Sequence, residues 1–553
     1  MNIAKVGTAS AFFERMMEKI RHPMVKSFFM GYGYPLWIAF SVFVGRAANL
    51  EFYFSILDLL IIAVGLLACD TLRPIIPIMT SFLYRISLSH APGTPIYSDY
   101  YFGAKLYILL GVLVIPLASL VYLFIRNKLI TLESLKKLPL ILPLAGLSLA
   151  FLLGGAFYEG RIASDLHFAL FQILAFAIIF WLLYLGLRDE DPNELCSYFT
   201  FVCAVLASVL ILEVAHLYIF EGVITPDGKI NEYMINFGWG ISNTVASALS
   251  VLIPVCFLGV IKGKYHFVYF VIGTLALLAD LFTLSRNGAL FGCLFYILSV
   301  GACCLFGERK KLYRYVALGT AVTVGIILLI FGNDIEHMFS SMIDSGLNDS
   351  GRFKLWRMAF DAFLENPLFG QGYYSFAEDW ATYASFIPFQ AHNTVFQLLQ
   401  SMGIFGFVAY LVYRAYTLIP FLKKPSVEKL MLLMSIGVLL GESLLDNFIF
   451  WFAPTFIYNL AIIIAIKMCE KDRNTEKISL EATEGTTCVE SARVECAVAV
   501  NAPSIGAVAQ EADASIGAEI DAEPGDVISD EAENVSAEGT EGSDTEADNT
   551  SAS

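Results

Sequence analysis

Apolar and polar positions fall in long blocks along this chain. Runs of about twenty apolar residues, the length a helix needs to cross a hydrocarbon core, occupy 27–45, 50–68, 106–125, 138–157, 165–187, 196–220, 239–261, 267–285, 289–306, 313–331, 394–417, 427–445 and 449–466. One long polar interval, Asn333 to Asn393, separates the last three from the rest. It carries Phe353, Trp356, Phe360 and Phe363 at i, i+3, i+7 and i+10, and Asn366-Pro367 to end the helix that this spacing predicts. So much aromatic surface does not stay in water, and the interval is expected to fold back onto the helices.

Positive charge sets the orientation. Basic clusters lie at Arg15–Lys26, Arg126–Lys137, Lys262–Lys264, Arg309–Arg314, Lys423–Lys429 and Lys467–Arg473, and such clusters in short loops stay cytoplasmic. All six share that face only if the chain crosses once more within 74–90, a weakly apolar stretch interrupted by Arg85. The reading is an all-α polytopic membrane protein of about 14 (12 to 14) transmembrane helices, both termini inside and the interval 332–393 an external loop. A re-entrant or interfacial segment at 74–90 is the alternative.

Composition agrees: 57% hydrophobic and 16% charged residues exclude a soluble globular protein. The net charge of −16 belongs to the tail, where 21 acids face four bases from Glu470 onward; 30 acids and 31 bases precede it. The low pI therefore says nothing about a substrate, and no nucleic acid partner is expected. Residues 470–553 contain no Phe, Tyr or Trp and read as a disordered acidic tail. Residues 1–26 read as a cytoplasmic lead-in without a cleavage site, and 27–469 as the membrane domain. None of the ten cysteines falls in a candidate external loop, and the adjacent Cys303 and Cys304 lack the spaced partners of a zinc site.

Three positions could carry chemistry. Arg286 stands in a short Ser285-Arg286-Asn287-Gly288 turn on the external side, either as a fixed cation for an anion or as an arginine snorkelling to headgroups. Arg352 follows Gly351 in the first turn of the aromatic helix; a guanidinium beside a helix N-terminus makes a phosphate site without a metal, and an interfacial helix with incidental bases is the plainer reading. His392-Asn393 precedes the span at Thr394. The dipole there disfavours a charged imidazole, so His392 is expected to be neutral and able to accept a proton, while Asn393 suits a helix cap. Glu213 and His216, at i and i+3, form a candidate proton relay, and Asp280, Glu442 and Asp446 are further intramembrane carboxylates.

In order and spacing, SRNG at 285–288, GRFKLW at 351–356, NPLFGQGY at 366–373, and His392-Asn393 followed by nine residues and Gly403-Ile404-Phe405-Gly406 resemble the O-antigen ligases and the related O-antigen and capsule polymerases. The resemblance covers roughly 240–445. It implies a membrane glycosyltransferase in cell-surface polysaccharide synthesis that moves a glycan from an undecaprenyl diphosphate carrier to an acceptor hydroxyl, of a lipid or a glycan, on the outer face of the cytoplasmic membrane. Neither metal nor other cofactor is implied. By the family pattern Arg286 and Arg352 bind and neutralise the diphosphate and His392 binds or activates the acceptor. Asn393, Trp356 and Gly351 line the substrate site. A polymerase acting on lipid-linked repeat units shares these motifs; a flippase would need polar residues lining a cavity through many spans, whereas here they collect in loops.

Overall fold

The computed structural model describes residues 15–48, 50–81, 104–231, 234, 235, 237, 241–340, 351–374 and 391–500, with side chains of the last helix to 477. These residues are helical apart from their connections and one isolated antiparallel bridge between Ile224 and Ile230. Residues 1–480 form one compact unit; of the second, 481–553, only helical backbone to Val500 is described.

Every one of the thirteen apolar runs contains a helix, yet not every helix is a full span. Among the described residues nine are long and apolar enough to cross a membrane, or ten if Pro23–Met30 and Gly33–Ala47, bent by 63°, form one crossing. The count of 12 to 14 exceeds this for a local reason. The run 138–157 shrinks to Ile141–Leu153, because Gly154-Gly155 turns the chain; 267–285 ends at Leu281, ahead of a turn with Leu284 at φ 60°. Val427–Leu445 is long enough but carries Glu428, Lys429 and Glu442. Hydropathy merges a short helix with its apolar flanks and so overstates length. At 74–90 the structure holds a seven-residue helix, Ile75–Ser81, and 82–90 lie outside the described residues.

The centre of the unit is Ser242–Lys262, buried continuously from Val245 to Ile261. Ala246, Ser247, Ala248 and Ser250 keep its surface small, which lets neighbouring helices approach. It packs against Pro192–Phe220, His266–Leu281, Arg286–Phe306 and Val427–Leu445. Lys310–Met338 lies at the periphery with Tyr313 as its one buried residue among those described, and it runs past 331, so the polar interval starts later than hydropathy draws it. The last helix stays packed beyond 470: Glu470 accepts from the Tyr184 hydroxyl, and Lys471 and Glu476 pair with Asp191 and Lys424.

Candidate functional site

The interval 351–406 is built on a broken helix. Thr394–Leu422 is capped by Asn393, whose side-chain oxygen accepts from the amides of Val395 and Phe396. Nine residues later Gly403 adopts φ 64° and ψ −165°, a conformation reserved for glycine. The break frees backbone groups on both sides, and the NPLFGQGY segment takes them up. Gln371 and Gly372 donate to the carbonyls of Gln400 and Ser401, while Ile404 and Phe405 donate to those of Pro367 and Leu368. A Cβ on Gly403 would lie 2.4 Å from the Leu368 carbonyl. This explains the nine-residue spacing physically, since unpaired backbone at membrane depth is tolerated only where protein satisfies it. Gln397 and Gln400 complete the graft: Gln397 accepts from the Ala391 amide at 3.0 Å, and Gln400 donates to the Gly372 carbonyl at 3.1 Å. Asp165 clamps the far end through the amides of Tyr373 and Tyr374.

Three helix starts meet beside this graft. Arg352–Glu365 begins after Gly351 at φ 78°, where a Cβ would meet nothing within 4 Å among the described residues and the backbone conformation favours glycine. Its packed face is Leu355, Met358 and Ala359 against Ala391 and Phe396, with Trp356 stacked on Phe396 (centroids 5.5 Å apart, 18° between planes). Of the expected aromatic stripe, Phe353 and Phe360 are exposed instead. Arg286–Phe306 begins after Ser285, whose hydroxyl accepts from the Gly288 amide. The expected hairpin at Asn287-Gly288 is therefore a helical first turn, and Leu284 makes the reversal. Arg352 Nη1 donates to Asn287 Oδ1 at 3.4 Å, which joins the two arginine-bearing helix starts.

The third start carries His392, held at φ 45°, an uncommon backbone region for a residue with a side chain. Its Nδ1 lies 3.2 Å from Asp446 Oδ1, just beyond the end of Val427–Leu445. Asn393 Nδ2 and Thr394 Oγ1 donate to the carbonyls of Leu444 and Ser443 at 2.7 Å each, fixing the two helix ends together. The imidazole is 43% exposed and the carboxylate 24%, so the ring remains reachable. The helix terminus alone favours a neutral imidazole, as expected from sequence. The hydrogen bond and charge of Asp446 outweigh burial and Arg352, and the His392 pKa is raised above its ordinary 6.5. Burial pushes Asp446 upward, but His392, the Asn447 amide and Arg352 prevail and hold it below the usual carboxylate value.

The structure thus brings Arg352, Asn287, His392 and Asp446 into one electrostatic neighbourhood, with Arg286 adjacent through the chain and half-buried. In the sequence Asp446 is only one of several intramembrane carboxylates and Asn287 a turn residue. The signal for the graft is Gln397, Gln400 and Ser401, polar at the start of a span just before Gly403. His216, the expected relay partner of Glu213, packs against the rings of Phe43 and Phe220. Asp280 and Glu442 are fully buried and accept from Ser250 and Ser247 respectively.

No curated protein matches the chain. Residues 269–411 match the family model Wzy_C, described as O-antigen ligase, whose bounds enclose Arg286, Arg352, Trp356, His392 and the break at Gly403 but stop short of Asp446; this region belongs to the O-antigen ligase/polymerase family of membrane glycosyltransferase-like enzymes.

Proposed function

We propose that this protein transfers a glycan from an undecaprenyl diphosphate carrier to an acceptor hydroxyl on the outer face of the cytoplasmic membrane, with His392 as base and Arg286 and Arg352 as the diphosphate cradle. The single observation that carries the reading is the His392–Asp446 pair, 3.2 Å apart, seated beside Arg352. Asp446 accepts from Nδ1–H and thereby leaves the Nε2 lone pair for the acceptor. The acceptor O–H proton passes to Nε2 as its oxygen attacks the anomeric carbon. The carbon–oxygen bond to the diphosphate breaks, and its electron pair stays on the departing phosphate. Negative charge grows there, where two guanidiniums and the positive ends of helices offset it best. The family acts on lipid-linked glycans and acceptors in the membrane; a ligase and a polymerase differ in the acceptor, not in these steps.

The test is transfer from a synthetic undecaprenyl diphosphate glycan by purified protein, offered separately a lipid acceptor and a second lipid-linked repeat unit. Arg286→Lys and Arg352→Lys each keep the charge but lose the bidentate fork. Each is expected to lower kcat/KM by about ten- to a hundredfold, the size of one or two charge-assisted hydrogen bonds. Wild-type kinetics in both variants would remove the arginines from the cradle.

Asp446 makes a separate prediction about pH. Because His392 works as the neutral base and its pKa is raised, kcat/KM falls as pH drops through a value above 6.5. Asp446→Asn removes the interaction that favours imidazolium, so this acid limb moves to lower pH while the plateau rate drops. A limb that stays in place would show that Asp446 does not set the base.

A further inference from the structure

Resting on the diphosphate reading above, we propose that Asn287 is a positioning residue that joins the two arginine-bearing helix starts into one anion clamp. Asn287 is 7% exposed, and its two amide atoms have different fates. Oδ1 accepts from Arg352 Nη1, whereas Nδ2 is buried and meets no acceptor among the described residues. A buried donor without an acceptor is costly, and such a group calls for an explanation. Here it stands in the first turn of Arg286–Phe306, at the positive end of the helix dipole and against a guanidinium. That combination of neighbours suits an incoming phosphate oxygen.

The choice of an amide has an electrostatic consequence. A carboxylate at this position would hold Arg352 more firmly but would consume its charge. An amide oxygen orients the guanidinium and leaves the charge available. The nearby buried acids fit the same arrangement: Asp280 and Glu442 are hydrogen-bonded to the hydroxyls of Ser250 and Ser247, and among the described residues Arg352 forms no ion pair. Four of the five guanidinium N–H groups remain for phosphate oxygens once Nη1 has given one to Asn287.

The experiment measures binding of inorganic pyrophosphate and of undecaprenyl diphosphate to full-length protein in detergent by calorimetry, with melting temperature as the check on folding. Asn287→Asp preserves shape and the Oδ1 acceptor but adds the competing charge; it is expected to weaken both ligands about tenfold. Because the added charge repels an anion with or without Arg352, the coupling itself is read from Asn287→Ala: in an Arg352→Ala background this substitution is expected to cost clearly less than in the wild-type background, since only the Nδ2 donor is then left to lose. Should Asn287→Ala not fold, Asn287→Ser carries the same cycle, with a larger loss in the wild-type background than without Arg352. Wild-type affinity in the folded variant, or equal losses in both backgrounds, overturns the coupling and leaves the diphosphate reading intact. A wild-type protein that binds neither ligand overturns the diphosphate reading and this inference with it.

Discussion

His392→Ala is expected to lower turnover by about a hundredfold to ten-thousandfold, the range that a positioned general base supplies, while the carrier lipid still binds. The two effects separate because different groups perform them. In the proposed mechanism the imidazole, standing on Asp446, takes a proton, whereas the diphosphate is held by Arg286 and Arg352 at the other two helix starts. The backbone supports the assignment: His392 adopts φ 45°, and its flanks are pinned by Gln397 on the Ala391 amide and by Asn393 on Leu444. Transfer and carrier binding are measured on the same preparation. Full transfer activity in the variant would overturn the mechanism, and loss of carrier binding equal to the loss of rate would move His392 into the cradle.

Gly403→Ala is expected to cost the fold rather than the chemistry. At φ 64° and ψ −165° a side chain is strained by about 1–3 kcal/mol before any contact is counted. The new Cβ would then stand 2.4 Å from the Leu368 carbonyl carbon and oxygen and 2.6 Å from the Phe369 amide nitrogen. Backbone cannot yield without losing the hydrogen bonds that graft 367–372 into the broken helix. Against a typical total stability of about 5–15 kcal/mol, this is a large loss. Gly319→Ala provides the comparison, since Gly319 lies in the peripheral Lys310–Met338 helix and a methyl group there would meet nothing within 4 Å among the described residues. Folded yield and melting temperature in detergent should fall sharply for Gly403→Ala and hold for Gly319→Ala. Equal behaviour of the two would show that the break does not require glycine.

Much of this molecule is legible without coordinates because it follows from local chemistry. A run of twenty apolar residues with few charges becomes a helix whatever surrounds it, and each of the thirteen runs contains one. The cap at Asn393, the helix stop at Asn366-Pro367 and the helix start after Gly351 are decided by neighbours within four residues. The motifs whose spacing points to the O-antigen ligases, from Ser285 to Gly406, all lie in the segment that the family model matches.

What composition does not resolve is how far each helix extends. Leu138 and Gly154-Gly155 are apolar or small and look like membrane, but the helix between them is only Ile141–Leu153.

The amino-acid order by itself determined an all-helical membrane protein and put forward the candidate residues for an anion and a proton, since hydropathy, charge and capping act over a turn or two. Tertiary structure alone decided their company. Asn287 meets Arg352 across 65 residues and His392 meets Asp446 across 54, because the aromatic helix docks on Phe396 and the 366–374 segment fills the break at Gly403. Contacts at that separation depend on packing and on backbone hydrogen bonds freed by one glycine, neither of which leaves a period in the sequence.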